Sequence, residues 1–204
     1  MISLCERLVE AGWLAAVVAV PIAFNQYADR MFEMTKTTMF RSMALVMLAA
    51  AGIRWLLQTR EPGDSTDSDQ RLIQRAWDVL TYPLSLPALA LGGVCLLTTV
   101  TSVLPRLSLA GSYRRVQGAY TILTYLVLFF CLLHFLRRRE QLDRLLSTVL
   151  LTSLPVSLYA VLQHYQLDPL IWGYDTAWRA PSTLGNPIFS GAYFIMVIPV
   201  TLQR

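Results

Sequence analysis

Charged side chains are scarce in this chain of 204 residues. Asp, Glu, Lys and Arg make up 15% of it, against roughly 25% in soluble globular domains. Hydrophobic residues make up 55%. So few charges cannot cover the surface of an ordinary soluble domain, and the composition therefore predicts an all-α integral membrane protein.

Cysteine and histidine are also rare, with three and two residues respectively. The cysteines lie in or beside apolar runs at no metal-ligand spacing, which predicts small core residues rather than a disulfide or a zinc site. The sequence contains neither a Gly-rich phosphate loop nor a nucleophile elbow. It therefore predicts no metal and no cofactor.

The net charge of +4 comes mainly from arginines in short loops between apolar segments. No basic patch is interleaved with aromatic residues, so the charges are better explained by orientation in a membrane than by nucleic-acid binding. The expected partners are membrane lipids, and no nucleic acid is expected.

The apolar segments predict a single transmembrane domain, 1–204, that forms a bundle of about six helices. The predicted helices are 10–27, 38–57, 83–104, 117–136, 145–163 and 188–203. The second helix can span the bilayer only if Arg41 and Arg54 snorkel to opposite surfaces. In the third helix, Gly92 and Gly93 predict a close approach of a neighbouring helix.

Polar connections separate the predicted helices. Residues 58–70 are acidic and lack anything to bury, which predicts a flexible cytoplasmic linker. The next residues, 72–77, show helical spacing of apolar side chains and favour a short interfacial helix. Residues 164–187 are rich in aromatics and proline and predict a loop on the outer headgroup layer.

The arginines and lysines predict the orientation of the chain. With a cytoplasmic N-terminus, ten of them fall on the inner side and seven on the outer side. The densest cluster, 137–139, then lies inside. The chain is accordingly expected to cross the membrane several times.

The run 179–187 reads Arg-Ala-Pro-Ser-Thr-Leu-Gly-Asn-Pro. Gly-Asn-Pro cannot continue a helix, because glycine is too free, proline has no N–H, and the residue before proline is pushed out of the α region. A loop should therefore end where the last helix begins. Arg179 would sit at the lip of the bilayer, either holding an anion such as a lipid-linked diphosphate or serving only as an interfacial anchor.

Other polar residues predicted to lie near the outer face each have a functional and a structural interpretation. Arg114 and Arg115 could join Arg179 in an anion site, or could simply flank helices. His164 could be a general base, but nothing at a suitable spacing would orient it, which favours a solvated histidine. Asp168 precedes a proline and is typical of a turn.

Three passages resemble the O-antigen ligase family, polytopic bacterial membrane proteins that include O-antigen ligases and related polymerases. They are the Gly-Ser-Tyr-Arg-Arg-Val-Gln-Gly run 111–118, the helix-to-loop passage 159–169, and the run 179–187. The third is the most specific, because it matches the family pattern Arg-x-x-Ser-Thr-x-Gly-Asn-Pro. Residues 24–41 are also similar to the family's first loop.

The resemblance implies a metal-independent glycosyltransferase of the bacterial inner membrane. It would transfer a glycan from undecaprenyl diphosphate to an acceptor hydroxyl at the outer face, with Arg115, Arg179 and Asn186 as substrate-binding residues. The family's large outer loop, with the histidine expected to act as base, would lie beyond residue 204. The chain is then the N-terminal membrane part of such a protein and inactive by itself. A membrane transporter and a non-catalytic scaffold are the rival interpretations.

Overall fold

The computed structural model describes residues 1–25, 27, 32–59, 82–112, 116–170, 172 and 175–204. All regular structure in these ranges is helical, with no strand, which confirms the all-α class. A 3-10 helix, Ser182–Leu184, accompanies seven α-helices within the described ranges. The α-helices are α1 (Ile2–Ile22), α2 (Glu33–Thr59), α3 (Ser85–Val100), α4 (Pro105–Ala110), α5 (Ala119–Phe135), α6 (Arg139–His164) and α7 (Pro187–Gln203).

Several predicted features lie outside the described residues. They are most of the linker, from residue 60 onward, the interfacial helix at 72–77, and both Arg114 and Arg115. The first two linker residues are described, and they continue α2, which ends at Thr59.

Six of the seven helices occupy the places of the predicted crossings, but their ends differ. α1 begins at Ile2 rather than at residue 10, and α6 begins at Arg139 rather than at residue 145. Hydropathy marks only the apolar part of a helix, whereas the backbone stays helical through flanking charged residues. α4 was expected to be loop, and its proline stands at the helix start, where a missing N–H costs nothing.

Among the described residues, two helices are long and apolar enough to cross a membrane, judged by length and composition: Glu33–Gln58 and Arg139–His164. α3, α5 and α7 are apolar but shorter, so six crossings remain a prediction. A core helix of a soluble protein passes the same test but is mostly buried. Only 22% and 11% of the two apolar windows are buried inside the protein, which favours membrane association.

The chain divides into two compact units. Unit 1 comprises Met1–Trp13 and Arg41–Leu136, and unit 2 comprises Leu14–Phe40 and Arg137–Arg204. In unit 2, α6 packs against both the 3-10 helix and α7, and the 3-10 helix packs against α7. Unit 2 therefore contains the passage 179–187.

Small residues bring helices of unit 1 together. Gly12 of α1 faces the fully buried Met47 of α2 so closely that a Cβ on Gly12 would overlap the Met47 Cγ. A Cβ on Gly92 would lie 2.9 Å from Cδ1 of Leu126 in α5. This is the close approach that the glycine pair predicts, although Gly93 itself faces open space.

The two arginines of α2 bond to protein groups of unit 1. Nη2 of Arg41 donates to Oγ1 of Thr121 at 2.7 Å and to the Val116 carbonyl at 3.0 Å. Arg54 pairs with Glu6 at 2.9 Å. Both arginines therefore have partners distant in sequence, and their snorkelling to opposite surfaces stays a prediction.

Replacing Gly12 by valine should destabilise unit 1, because the added isopropyl group must displace the buried Met47. Overpacking of this kind costs about 1–3 kcal/mol. Gly52 of α2 is the matched control, since a Cβ there meets nothing within 4 Å. The unfolding midpoint in detergent should fall for Gly12→Val and change little for Gly52→Val. Equal midpoints would contradict the packing described above.

Candidate functional site at the start of the last helix

The turn before α7 is folded as its sequence predicts. The 3-10 helix ends at Gly185, whose φ of +77° lies in the left-handed region that glycine favours. A Cβ at this position would overlap the ring of Phe32. Asn186 is extended, and its Oδ1 accepts the Ile188 N–H at 2.9 Å, which caps α7. Pro187 is the first helical residue.

The capped end of α7 attracts negative charge. A helix N-terminus carries a partial positive charge and backbone N–H groups that favour anions. The first turn of α7 contains no acidic side chain, so no carboxylate of its own competes for that position.

Two side chains near this turn have no bonding partner within the described part of the chain. Arg179 is exposed, and its guanidinium is unpaired there. Thr183 is only 6% exposed, and its buried Oγ1 makes no hydrogen bond. A buried hydroxyl without a partner costs free energy, so it marks a place where a ligand could be bound.

Gln163 of α6 is hydrogen-bonded to the turn before α7. Its side chain is completely buried, and its Oε1 accepts the Ser182 N–H at 2.7 Å. Its backbone carbonyl accepts the hydroxyl of Thr176 at 3.2 Å. The last turn of α6 is thereby joined to both ends of the segment 176–182.

Two serines add further hydrogen bonds between α6, the segment before α7 and α7 itself. Ser182 Oγ donates to the Val156 carbonyl at 2.5 Å, and Ser190 Oγ of α7 donates to the Pro181 carbonyl. Ser182 has a φ of +53°, which costs a non-glycine residue roughly 1–2 kcal/mol. The hydrogen bonds through its amide and hydroxyl offset that cost.

Asp168 is the centre of the hydrogen-bond network in unit 2. Its Oδ2 accepts three bonds, from the Tyr159 hydroxyl at 2.9 Å, Nε2 of Gln163 at 3.1 Å and Nε1 of Trp172 at 2.8 Å. Its Oδ1 accepts the Leu170 N–H at 2.9 Å, which is the expected turn geometry.

The hydrogen bonds keep the Asp168 carboxyl charged. Partial burial raises its pKa, but the bonds it accepts, with that from Leu170 the largest of them, lower the pKa by more. The pKa of Asp168 therefore lies below its ordinary value, and the group is ionised at neutral pH.

Four stacked aromatic rings, two of which belong to residues that bond to Asp168, form the aromatic cluster. Phe24 stacks on Phe32 with centroids 5.7 Å apart and on Tyr159 at 6.0 Å, and Phe32 stacks on Trp172 at 5.6 Å. Phe32 also lies against Gly185. The residues that bind Asp168 are thus packed against the turn before α7.

His164 is exposed, as expected for a solvated histidine. Its Nδ1 lies 2.7 Å from the Ala177 carbonyl, and because a carbonyl only accepts, Nδ1 is the donor. Tyr165 packs edge-on against the imidazole. Within the described residues, no carboxylate or serine orients His164 as a base.

Of the predicted site residues, Arg179 and Asn186 both lie in the segment before α7, on either side of the 3-10 helix, and Arg115 is outside the described residues. The ends of its loop are described in unit 1, where Val116 N–H donates to the Ser112 carbonyl at 2.8 Å. A Cβ on Gly118 would overlap the Gly111 backbone, so the two ends of the loop touch.

The importance of Gln163 and Tyr159 is not apparent from the sequence analysis. One pattern could have revealed it. The two residues are four apart and so share a face of an otherwise apolar helix. Asp168 follows five residues after Gln163, just beyond the helix, and polar side chains on an otherwise apolar face need hydrogen-bond partners.

Protonation of Asp168 should destabilise unit 2. Because its folded pKa is depressed, the stabilisation is complete above the ordinary pKa and is lost as pH falls through the folded pKa. Asp168→Asn should lower unfolding stability by about 1–3 kcal/mol at neutral pH. Its deficit relative to wild type should shrink in strong acid, as measured by denaturation at a series of pH values.

Asp175 is the matched control, an exposed carboxylate of the same loop that accepts the Ala177 N–H at 2.9 Å. Asp175→Asn should cost less stability than Asp168→Asn at neutral pH. A deficit for Asp168→Asn that stays constant down to strong acid would contradict a role for its charge.

Comparison of the chain with protein-family models, with curated proteins and with solved structures finds no match in any of the three. The likeness to O-antigen ligases therefore remains a resemblance of motifs.

Proposed function

We propose that the chain is the N-terminal membrane part of an O-antigen ligase-like protein. It holds a glycan on undecaprenyl diphosphate at the outer face of a bacterial inner membrane, for transfer to an acceptor hydroxyl. The observation that carries the proposal is the turn 179–186, which combines an exposed arginine with a capped helix start that lacks a competing carboxylate.

Exposed apolar surface supports the membrane setting. Leu151, Leu154 and Leu158 recur at helical spacing on α6 and are 66%, 63% and 62% exposed. A contiguous apolar stripe of this kind is rare on a soluble monomer, and lipid chains would cover it. The same reasoning applies to α2, which is long enough to span the bilayer.

The chemistry of the turn suits a diphosphate. Arg179 has a planar guanidinium that can donate two parallel hydrogen bonds to phosphate oxygens. The N-terminus of α7 adds a favourable dipole, although Pro187 has no N–H and the Ile188 N–H is already bonded to Asn186. Asn186 keeps the helix start in place by capping it, rather than by contributing charge.

In the proposed reaction the acceptor oxygen bonds to the anomeric carbon while the bond from that carbon to the diphosphate breaks. Arg179 and the helix start would stabilise the negative charge that builds up on the departing undecaprenyl diphosphate. The proton of the acceptor hydroxyl needs a base, and His164 faces the Ala177 carbonyl instead. The family resemblance implies that a histidine of a large outer loop supplies this base.

Arg115 enters the proposal as a second diphosphate contact through the motif resemblance alone. The rival interpretations, a transporter or a non-catalytic scaffold, assign both Arg115 and Arg179 only to membrane topology. They therefore require no loss of diphosphate binding when an arginine becomes a lysine.

Arg179→Lys should weaken binding of geranyl diphosphate to the chain in nanodiscs by roughly tenfold, about 1.4 kcal/mol, because lysine lacks the planar fork. Glycan transfer by the complete protein should fall in parallel. Arg106→Lys is the matched control, since Arg106 is an exposed arginine of α4 in unit 1. Equal affinities for the two variants would favour the topological interpretations.

The proposed orientation is tested by labelling intact cells from outside. A cysteine introduced at Trp178, which is 85% exposed, should react with a membrane-impermeant maleimide. A cysteine at the exposed Arg138 should react only after the membrane is opened. The native cysteines are free thiols and are replaced by serine in both variants. If the cysteine at position 178 does not react in intact cells, the site faces the cytoplasm and the proposed orientation is wrong.

A further inference from the structure

Gln163 connects Asp168 to the turn before α7 through the two ends of one amide. Its Nε2 donates to Asp168, and its Oε1 accepts from the Ser182 N–H. The side chain is fully buried, so water cannot replace either partner. Loss of one end therefore leaves a buried polar group unsatisfied.

The charge of Asp168 decides which end of the amide faces the turn. An ionised carboxylate only accepts hydrogen bonds, so the amide must present its NH2 group to Asp168. Oε1 is then left for Ser182. The reversed amide would set a donor against the Ser182 N–H and an acceptor against the carboxylate, and both bonds would be lost.

We propose that Gln163 is the positioning residue of the candidate site: Asp168 orients its amide, and the amide holds Ser182 between Arg179 and Asn186. The inference rests on the proposed function, because it concerns the site that would hold the diphosphate. A diphosphate should bind most tightly when the guanidinium and the helix start are held at a constant separation, since ordering them costs no binding energy.

The surroundings of Gln163 support this assignment over a purely space-filling role. Its neighbours Tyr159 and Trp172 also donate to Asp168, so that carboxylate cannot turn away from the amide. Two rings of the aromatic cluster, Tyr159 and Trp172, are themselves donors to Asp168. An apolar side chain would fill the same volume but leave the Ser182 N–H without a partner.

We call the hydrogen-bonded chain from Asp168 through Gln163 to the Ser182 N–H the relay, and the titratable groups near it determine which pH controls are needed. Asp168 belongs to it, Tyr159 donates to Asp168, and His164 and Asp175 bond to the segment 175–177. Other described titratable groups on the packed elements include Glu33 and Lys36 on α2, Arg179 in the loop and Tyr193 on α7. Wild type is therefore measured at every pH used.

Gln163→Glu tests the relay through a pH profile. A protonated glutamic acid can donate to Asp168 and accept from Ser182, as glutamine does. An ionised glutamate instead opposes the Asp168 carboxylate. Binding of geranyl diphosphate by this variant should match wild type at about pH 5 and be roughly tenfold weaker at about pH 9. Each comparison is made with wild type at the same pH, because the charge of geranyl diphosphate itself changes over this range.

Gln163→Glu combined with Asp168→Asn is the suppressor. Its ionised glutamate can accept from both the side-chain amide introduced at position 168 and the Ser182 N–H, so the pH dependence should disappear. Gln163→Met retains the volume without the hydrogen bonds, and it should bind weakly at every pH. If the methionine variant does not fold, the glutamate variant in acid supplies the folded reference.

Hydrogen exchange at the Ser182 amide measures, without any ligand, how well the bond between the Ser182 N–H and the side chain at position 163 is kept. Exchange, compared with wild type at the same pH, should be accelerated in Gln163→Glu at high pH only, and restored by the suppressor. Unchanged Ser182 exchange in Gln163→Glu, or a pH dependence that persists in the suppressor, would overturn the positioning role.

The two proposals fail in different ways. If wild type binds geranyl diphosphate but Ser182 exchange is unaffected by Gln163→Glu, only the relay is overturned. If wild type does not bind while Ser182 exchange follows the expected pattern, the relay is supported and the proposed function is overturned.

Discussion

A carboxylate that is partly withdrawn from water must have its charge stabilised by other donors, and in unit 2 this requirement governs Asp168. Its two oxygens accept from one backbone amide and from three side chains, two on α6 and one in the following loop. Those donors must converge on one point. The end of α6, the loop after it and the turn before α7 are consequently held to one another.

Unit 1 meets the same requirement with a cation. Arg41 bonds to Val116 and Thr121, at the end of the loop 111–118 and the start of α5, and its guanidinium lies 4.5 Å from the ring centroid of Tyr120. Within hydrocarbon, polar backbone groups must find partners in the protein itself. In each unit a single charged side chain therefore bonds to a connecting segment, although Nε of Arg41 is buried without a hydrogen-bond partner.

The correct expectations came from residues with a strong local preference. Gly185, Asn186 and Pro187 each restrict the backbone, and together they specify the turn and the first residue of α7. The prediction for Arg41 and Arg54 did not identify their bonding partners, because those partners are far away in sequence. The local pattern predicts that both arginines lie near the bilayer surfaces, but it does not show that Val116 lies beside Arg41 or that Glu6 lies beside Arg54.

The amino-acid sequence by itself determined the helical class, the low charge that favours a membrane and the break before α7, because composition and backbone preference act locally. It also supplied Arg179 and Asn186 as candidate ligands of an anion. Only the tertiary structure decided that Asp168 is a hub rather than a simple turn residue, and that Gln163 joins it to Ser182. Hydrogen bonds between separate segments depend on how the helices pack, which no short stretch of the chain specifies.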